Sequence, residues 1–395
     1  MDIRLKPIRL AGTVEAVSSK SQLHRLLICA LLADGETKII FRGLSEDILA
    51  TVHCIRALGK TVTVADGLIT VEAGRRALLN PALDCGESGT TARLLLPVAA
   101  ALTGGFTMTG CGRLPGRPMA ELCLAMEGAG VSFSAHHLPL QAAGSLRAGT
   151  YRLPGNVSSQ YISGLLLALP VLAGDSEIQL TTPLSSAAYV EMTRAAMRLF
   201  GVAADVGQIW GGQTYVSPGA LSAEGDWSNA APWLCFPEVT VTGLDFHSVQ
   251  GDRAASELIA ALRGEGDIEI EIDGTPDLLP VMAAFAAKRR GNCRFTKAAR
   301  LRLKESDRLA VTAALIEAVG GAADIEEDTL TVLGKDRLAG GTIDAAGDHR
   351  MVMAAVVLAG LCDGPVTVRG CEAVNKSYPD FFKDYKALGG AVHVL

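Results

Sequence analysis

The sequence is short of several things that would define a function class. No apolar run among its 395 residues reaches the roughly 18–20 that a membrane helix needs, so a helical membrane protein is excluded. Met1 to Pro7 hold no hydrophobic signal core, and a cytoplasmic protein is expected. A basic excess is missing: 36 Lys and Arg stand against 42 Asp and Glu, a net charge of −6. Aromatic residues make up 5% of the chain, with all three tryptophans within 210–233. Nucleic-acid binding asks for basic stripes or stacking tracks, so no such partner is expected. There is no CxxC pair, HExxH or His–Asp cluster, and no metal is expected. The nine cysteines form an odd, scattered set, as reduced thiols would. A Walker loop is absent and GxSxG is missed by one residue, which leaves no basis for a P-loop or a hydrolase elbow.

What is present is a repeat. An amphipathic stretch ends at glycine and a short apolar strand follows, at Gly59, Gly130, Gly201, Gly266, Gly321 and Gly390. One such glycine is an ordinary left-handed helix cap. Six at this spacing predict six related α/β units, the fourth being weakest because Gly264 already precedes Gly266. The preceding helices carry apolar residues on one face, as in Ile48, Leu49, Val52 and Ile55, or Leu309, Ala313 and Ile316. Three units per half predict two similar α/β domains with a boundary near Glu224-Gly225-Asp226 and a cleft between them.

Polar segments interrupt this pattern, nearly all at loop-to-helix junctions. In Ser18-Ser19-Lys20-Ser21-Gln22-Leu23-His24-Arg25, Ser21 is the expected N-cap, and Lys20 and Arg25 flank a helix start suited to an anion. Asp84 to Arg93 contains Gly86 and Gly89, which permit close backbone approach, a second anion nest. Arg117 sits in the rigid turn Pro115-Gly116-Arg117-Pro118. Ser158, Ser159 and Gln160 precede an apolar helix, and Ser185, Ser186 and Tyr189 form a weaker version. Asp277 follows Pro276. Lys304 and Arg308 would share one helix face, with Glu305 beside them as an acid or base. Gly347-Asp348-His349-Arg350 and Asn375-Lys376-Ser377 complete the set. Each alone is also an ordinary cap or solvated face. Together Lys20, Arg25, Arg93, Arg117, Lys304, Arg308, Arg350 and Lys376 fit a cleft for small polyanions. Such a concentration of like charge is expected to hold the empty cleft open until anions enter.

The ordered motifs SKSQLHR, GESGTTAR, GRPM, VSSQY, PD at 276–277, LKESDR, GDHRM and NKSYPDFF resemble those of the 5-enolpyruvylshikimate-3-phosphate (EPSP) synthase family over nearly the whole chain. The resemblance implies an inverse α/β barrel fold: two similar domains, each of three βαβαββ units. Residues 1–13 and 226–395 would form one domain and 14–225 the other, with the active site in the cleft between them. It implies a 3-phosphoshikimate 1-carboxyvinyltransferase, a monomer with no metal or organic cofactor. Shikimate 3-phosphate would meet Ser21, Arg25, Ser158, Ser159, Gln160, Ser186, Asp277 and Lys304. Phosphoenolpyruvate would meet Lys20, Gly89, Arg117, Gln160, Arg308, Arg350 and Lys376. Asp277 would take the hydroxyl proton, and Glu305, with Lys20 nearby, would handle the proton at C3.

Some positions depart from the family pattern. Val17-Ser18 stands where Pro-Gly is common, Glu87 where Asn is common, Ala187-Ala188 in place of Lys-Pro, and Arg300 in place of an Asn. The stretch 226–275 is also short. Two other readings compete. One is the related transferase acting on UDP-N-acetylglucosamine, but it resembles Lys-Asn where Lys20-Ser21 stands, and often has a cysteine at the position of Gly112. The other is a non-catalytic anion binder, which would be expected to lose Asp277 or Glu305; both are present.

Overall fold

A parallel pair of short strands bridged by a helix is the element that recurs along the chain. A second helix and an antiparallel hairpin complete it, giving βαβαββ. The computed structural model describes residues 1–76 and 80–395. They form two units, a continuous one of Ser18–Ala223 and a discontinuous one of Met1–Val17 with Glu224–Leu395. The first crossing comes later than the expected residue 14, because Ala11–Glu15 pairs in parallel with Glu238–Thr242.

In the continuous unit, Thr37–Ile40 pairs in parallel with Ala220–Ser222. Helix Glu46–Ala57 then leads into the hairpin Val62–Ala65/Leu68–Val71. The second repeat runs Ala82–Asp84, helix Gly89–Leu102, Gly105–Thr109, helix Ala120–Glu127 and a hairpin of Ser132–Phe133 with Leu140–Ala143. The third has Thr150–Leu153 parallel to Glu177–Leu180. Its hairpin is reduced to isolated bridges, Asp205 to Gln208 and Ser176 to Ile209. No strand forms at Val202-Ala203, where the repeat pattern places one.

The discontinuous unit repeats the plan. Ile268–Glu271 and Asn292–Thr296 are parallel, with the hairpin Ala322–Ile325/Leu330–Leu333 beside them. Gly341–Asp344 and Val366–Arg369 are parallel, and here the hairpin position is filled by Ile3–Leu5 from the chain start together with Val392–Val394. The remaining repeat has only its parallel pair. After helix Ala255–Leu262 the chain passes Gly266 directly into Ile268–Glu271, the first strand of the next repeat. The short stretch 226–275 is this missing hairpin.

Each unit has its own apolar core. The helix that leads into the central strand of each repeat (Thr37–Ile40, Gly105–Thr109 or Val366–Arg369, for example) lies inside it. Lys20–Leu32, Gly89–Leu102 and His349–Leu361 are buried along nearly their whole length, which is why they are apolar all round rather than striped. Only their N-terminal turns carry the polar residues singled out above. The marker glycines have left-handed φ at Gly59, Gly130, Gly201 and Gly266, but in the last two repeats it is Gly320 and Gly389, the first of each pair, that turn the chain.

Candidate active site

The continuous unit supplies one group of side chains. Helix Lys20–Leu32 is capped by Ser19, whose side chain accepts from Gln22 N–H, so Ser21 is helical and not the cap. Lys20 Nζ is held 2.8 Å from Asp47 Oδ2. Arg25 is buried and turned inward. It donates to Thr193 Oγ1, the Ser21 carbonyl, Ser163 Oγ and the Tyr189 carbonyl. Burial pushes its pKa down to about 10, so it stays charged at neutral pH.

Arg117 follows the short helical turn Leu114–Gly116 and lies over Gly89. A Cβ on residue 89 would come within 2.7 Å of Arg117 Nη1, so glycine is what permits this approach. Arg93 donates to the Pro118 carbonyl and, at 2.9 Å, to Gln160 Oε1. Gln160 Nε2 reaches Thr90 Oγ1 at 2.8 Å. Gly89, Thr90, Arg93, Arg117 and Gln160 are thus one connected group. Ser158 caps helix Ser159–Ala168 by accepting from Gln160 N–H. Ser186, with left-handed φ of 53°, precedes helix Ala187–Leu199. Glu87 packs its carboxylate where a side chain on Gly112 would stand.

The discontinuous unit carries the acids. Arg308 is buried and bonds to three carboxylates: Nη1 to Asp277 at 2.7 Å, Nη2 to Glu305 at 2.9 Å and Nε to Asp348 at 2.9 Å. Lys304 Nζ and Arg350 Nη2 each lie 3.5 Å from the Asp277 carboxylate. Burial would raise the Asp277 pKa, but Lys304, Arg308 and Arg350 outweigh it and hold it well below the usual carboxylate range. Burial likewise acts to lower Arg308, and Asp348, Glu305 and Asp277 overcome it. Lys304 is pushed down, chiefly by burial.

Lys304 and Arg308 do not share a helix. Lys304 ends the short turn Ala299–Leu303, and Asp307 caps a new helix that starts at Arg308. They meet on Asp277 because the chain breaks between them. Arg350 Nη1 donates to Asn229 Oδ1 at 3.1 Å, and Ser377 Oγ donates to the same atom at 2.9 Å. Lys376 Nζ bonds the Gly347 carbonyl at 2.9 Å. Arg300 pairs with Asp273 at 2.6 Å.

Several partners went unassigned in the sequence. Asp348 had a local signal, as the cap two residues before Arg350. Asp47, Asn229 and Thr193 gave none, since their roles depend on contacts distant in sequence. Asp252 is buried and accepts a short bond from Ser228. Burial first, then Asp277, raises its pKa to about 7. Among the described residues no cluster of His, Cys, Asp and Glu could hold a metal ion, and no helix is long and apolar enough to cross a membrane.

The family profile described as EPSP synthase (3-phosphoshikimate 1-carboxyvinyltransferase) matches residues 5–385. The chain belongs to the EPSP synthase family. Its relatives include a 3-phosphoshikimate 1-carboxyvinyltransferase of Clostridium kluyveri, 36% identical over 99% of this chain and 98% of that protein. One from Methanocorpusculum labreanum is 36% identical over 96% of this chain and 97% of that one. Among solved structures, EPSP synthase from Acinetobacter baumannii superposes with a TM-score of 0.81 at 24% identity over the full length of both chains. The enolpyruvyl transferase NikO from Streptomyces tendae gives 0.79 at 18% identity, covering 99% of this chain and 98% of that one. At these identities the two structures attest the fold alone. The family fold of two domains with three βαβαββ units each is the plan described above, with hairpins lost or reduced in two repeats.

Proposed function

We propose that the protein is a 3-phosphoshikimate 1-carboxyvinyltransferase and that the groups of both units serve one reaction. It moves the enolpyruvyl group of phosphoenolpyruvate to the 5-hydroxyl of shikimate 3-phosphate and releases phosphate. The observation that carries the reading is Arg308 bonded to both Asp277 and Glu305. Two carboxylates fixed on one guanidinium, with Lys304 and Arg350 beside them, provide an acid and a base among cations suited to phosphorylated substrates.

The hydroxyl oxygen adds to C2 of phosphoenolpyruvate, Asp277 takes the hydroxyl proton and protonated Glu305 delivers one to C3. The tetrahedral adduct then collapses: the C2–O bond to phosphate breaks, Glu305 recovers a proton from C3, and the proton on Asp277 leaves with phosphate. Held by three cations, Asp277 is a weak base. The phosphate and carboxylate groups of the substrates compete for those cations, so Asp277 gains basicity as the site fills. We assign phosphoenolpyruvate to Lys20, Gly89, Arg117, Gln160, Arg350 and Lys376, with Arg308 orienting the two acids. Shikimate 3-phosphate falls to Ser21, Ser158, Ser159, Gln160, Ser186 and Lys304. Arg25, with four acceptors inside its own unit, contributes charge and orders Ser21 and Tyr189. We place the protein in the cytoplasm as a monomer; buried thiols such as Cys29, Cys85 and Cys293 suit a reducing compartment.

The test is phosphate release from phosphoenolpyruvate with each candidate acceptor, with product mass read in parallel. Release with shikimate 3-phosphate and a single enolpyruvyl adduct is expected. Release with UDP-N-acetylglucosamine instead would reassign the substrate, and release with neither would leave an anion binder.

A further inference from the structure

His24 sits one turn after Lys20 and next to Arg25, and the mechanism gives it no part. Its ring is wholly buried. Nδ1 lies 2.7 Å from Thr51 Oγ1, which lies 2.7 Å from Thr91 Oγ1, which lies 2.8 Å from Ser88 Oγ. Ser88 caps helix Gly89–Leu102 by accepting from Thr91 N–H at 3.1 Å. Four buried side chains, His24, Thr51 and Thr91 from three helices and Ser88 from the cap of the third, therefore form one file. It ends at the turn that carries Gly89 under Arg117 and Thr90 against Gln160. The other ring nitrogen, Nε2, is buried with no hydrogen-bond partner among the described residues.

That unfilled nitrogen sets the direction of the file. Burial, with Lys20 and Arg25, holds the imidazole well below its ordinary pKa, so the ring is neutral and carries one N–H. Placed on Nε2, that hydrogen would be a buried donor with no acceptor, the costlier orphan. Placed on Nδ1, it bonds Thr51 and leaves Nε2 with only an unused lone pair. Thr51 then donates to Thr91, and Thr91 donates to Ser88 at 2.8 Å in preference to the Asp47 carbonyl at 3.4 Å, so the protons of the file point toward the helix cap.

We propose that His24 is a positioning residue for enolpyruvyl transfer: its Nδ1–H orients the Thr51–Thr91–Ser88 file, which fixes the Ser88–Gly89–Thr90 turn against Arg117 and Gln160. This rests on the assignment of Gly89, Arg117 and Gln160 to phosphoenolpyruvate.

The test compares wild type with His24→Asn, His24→Gln, His24→Leu and Thr51→Val. The δ-amide of Asn stands where Nδ1 stands and can still donate to Thr51, whereas the ε-amide of Gln matches Nε2. The expected result is a KM for phosphoenolpyruvate raised about ten-fold in the Gln, Leu and Val variants, the scale of one disrupted buried hydrogen bond. KM for shikimate 3-phosphate should stay within about two-fold, and the Asn variant should behave like wild type. Gln matching Asn, equal changes for both substrates, or no change in any variant overturns the role. Should His24→Leu not fold, the Asn–Gln pair decides alone. An inactive wild type would overturn the functional reading and this role with it, while an active wild type with uniform variants overturns only the role.

Discussion

Arg308 holds Asp277, Glu305 and Asp348 at once, so the acids of the site are ordered before any substrate arrives. If Glu305 supplies and recovers the proton at C3, Glu305→Gln keeps the bond geometry but not the proton. We expect turnover to fall by about 10²–10⁴ with phosphoenolpyruvate still bound, as single-turnover and binding measurements would show; near-normal turnover would reject the role. Gly89→Ala tests the Arg117 approach. The added methyl pushes the guanidinium aside, and KM for phosphoenolpyruvate should rise roughly ten-fold or more while that for shikimate 3-phosphate changes little. Asp252 gives a pH prediction. Its pKa is near 7 when folded against an ordinary 3.8, so between about pH 4 and 7 the folded state binds more protons and its stability falls as pH rises. Asp252→Asn removes this dependence. Its urea midpoint should gain on wild type from about pH 4 to pH 8, and the absence of any gain would mean that the folded carboxyl is already ionised across that range.

Helix starts and stops were legible to within a residue or two, and the errors have local causes. Ser21 was the expected cap, but Gln22 N–H bonds Ser19, and the helix starts at Lys20. The stretch 300–308 has helical spacing, but Asp307 caps a new helix and separates Lys304 from Arg308. Counting cations as mutually repelling also missed their partners: Asp47 on Lys20 and Asp348 on Arg308 come from elsewhere in the chain and offset that repulsion inside each unit. The marker glycines are not equivalent as elements. At Gly59, φ is +97° and a Cβ would overlap the Arg76 carbonyl, whereas at Gly201 φ is +75° with open space around it. Gly201→Ala should therefore cost only the left-handed backbone penalty, about 1–2 kcal/mol. Gly59→Ala adds a clash with main chain and should cost clearly more. Chemical denaturation of the two variants compares them directly, and equal losses would show that the Arg76 segment yields freely.

At the scale of the whole molecule, the six-fold repeat was readable because helix-ending glycines recur. The missing hairpin of the fourth repeat was readable as a short stretch and a weak marker, but the reduced hairpin of the third was not, since a strand was expected at Val202-Ala203. What no local pattern announced is that the chain start completes a repeat whose other strands lie more than 300 residues on. Ile3–Leu5 is an inner strand, antiparallel to Val366–Arg369 on one side and to Val392–Val394 on the other. Ile3 and Leu5 are fully buried, worth about 1.5–3 kcal/mol each by apolar burial alone. An edge strand could be removed with one row of backbone groups lost, but removing an inner one strips partners from both neighbours and detaches Val392–Val394 from its sheet. Deleting residues 1–5 should therefore destabilise the discontinuous unit by several kcal/mol and leave the core of Ser18–Ala223 intact. Trp227 and Trp233 are buried in the affected unit, while Trp210 is exposed in the other. Tryptophan emission during urea unfolding thus reports mainly the unit that loses its strand. A lowered first midpoint, followed by a transition at the wild-type position, is the expected profile. A truncated chain that unfolds with the wild-type profile would mean that the sheet closes without its first strand.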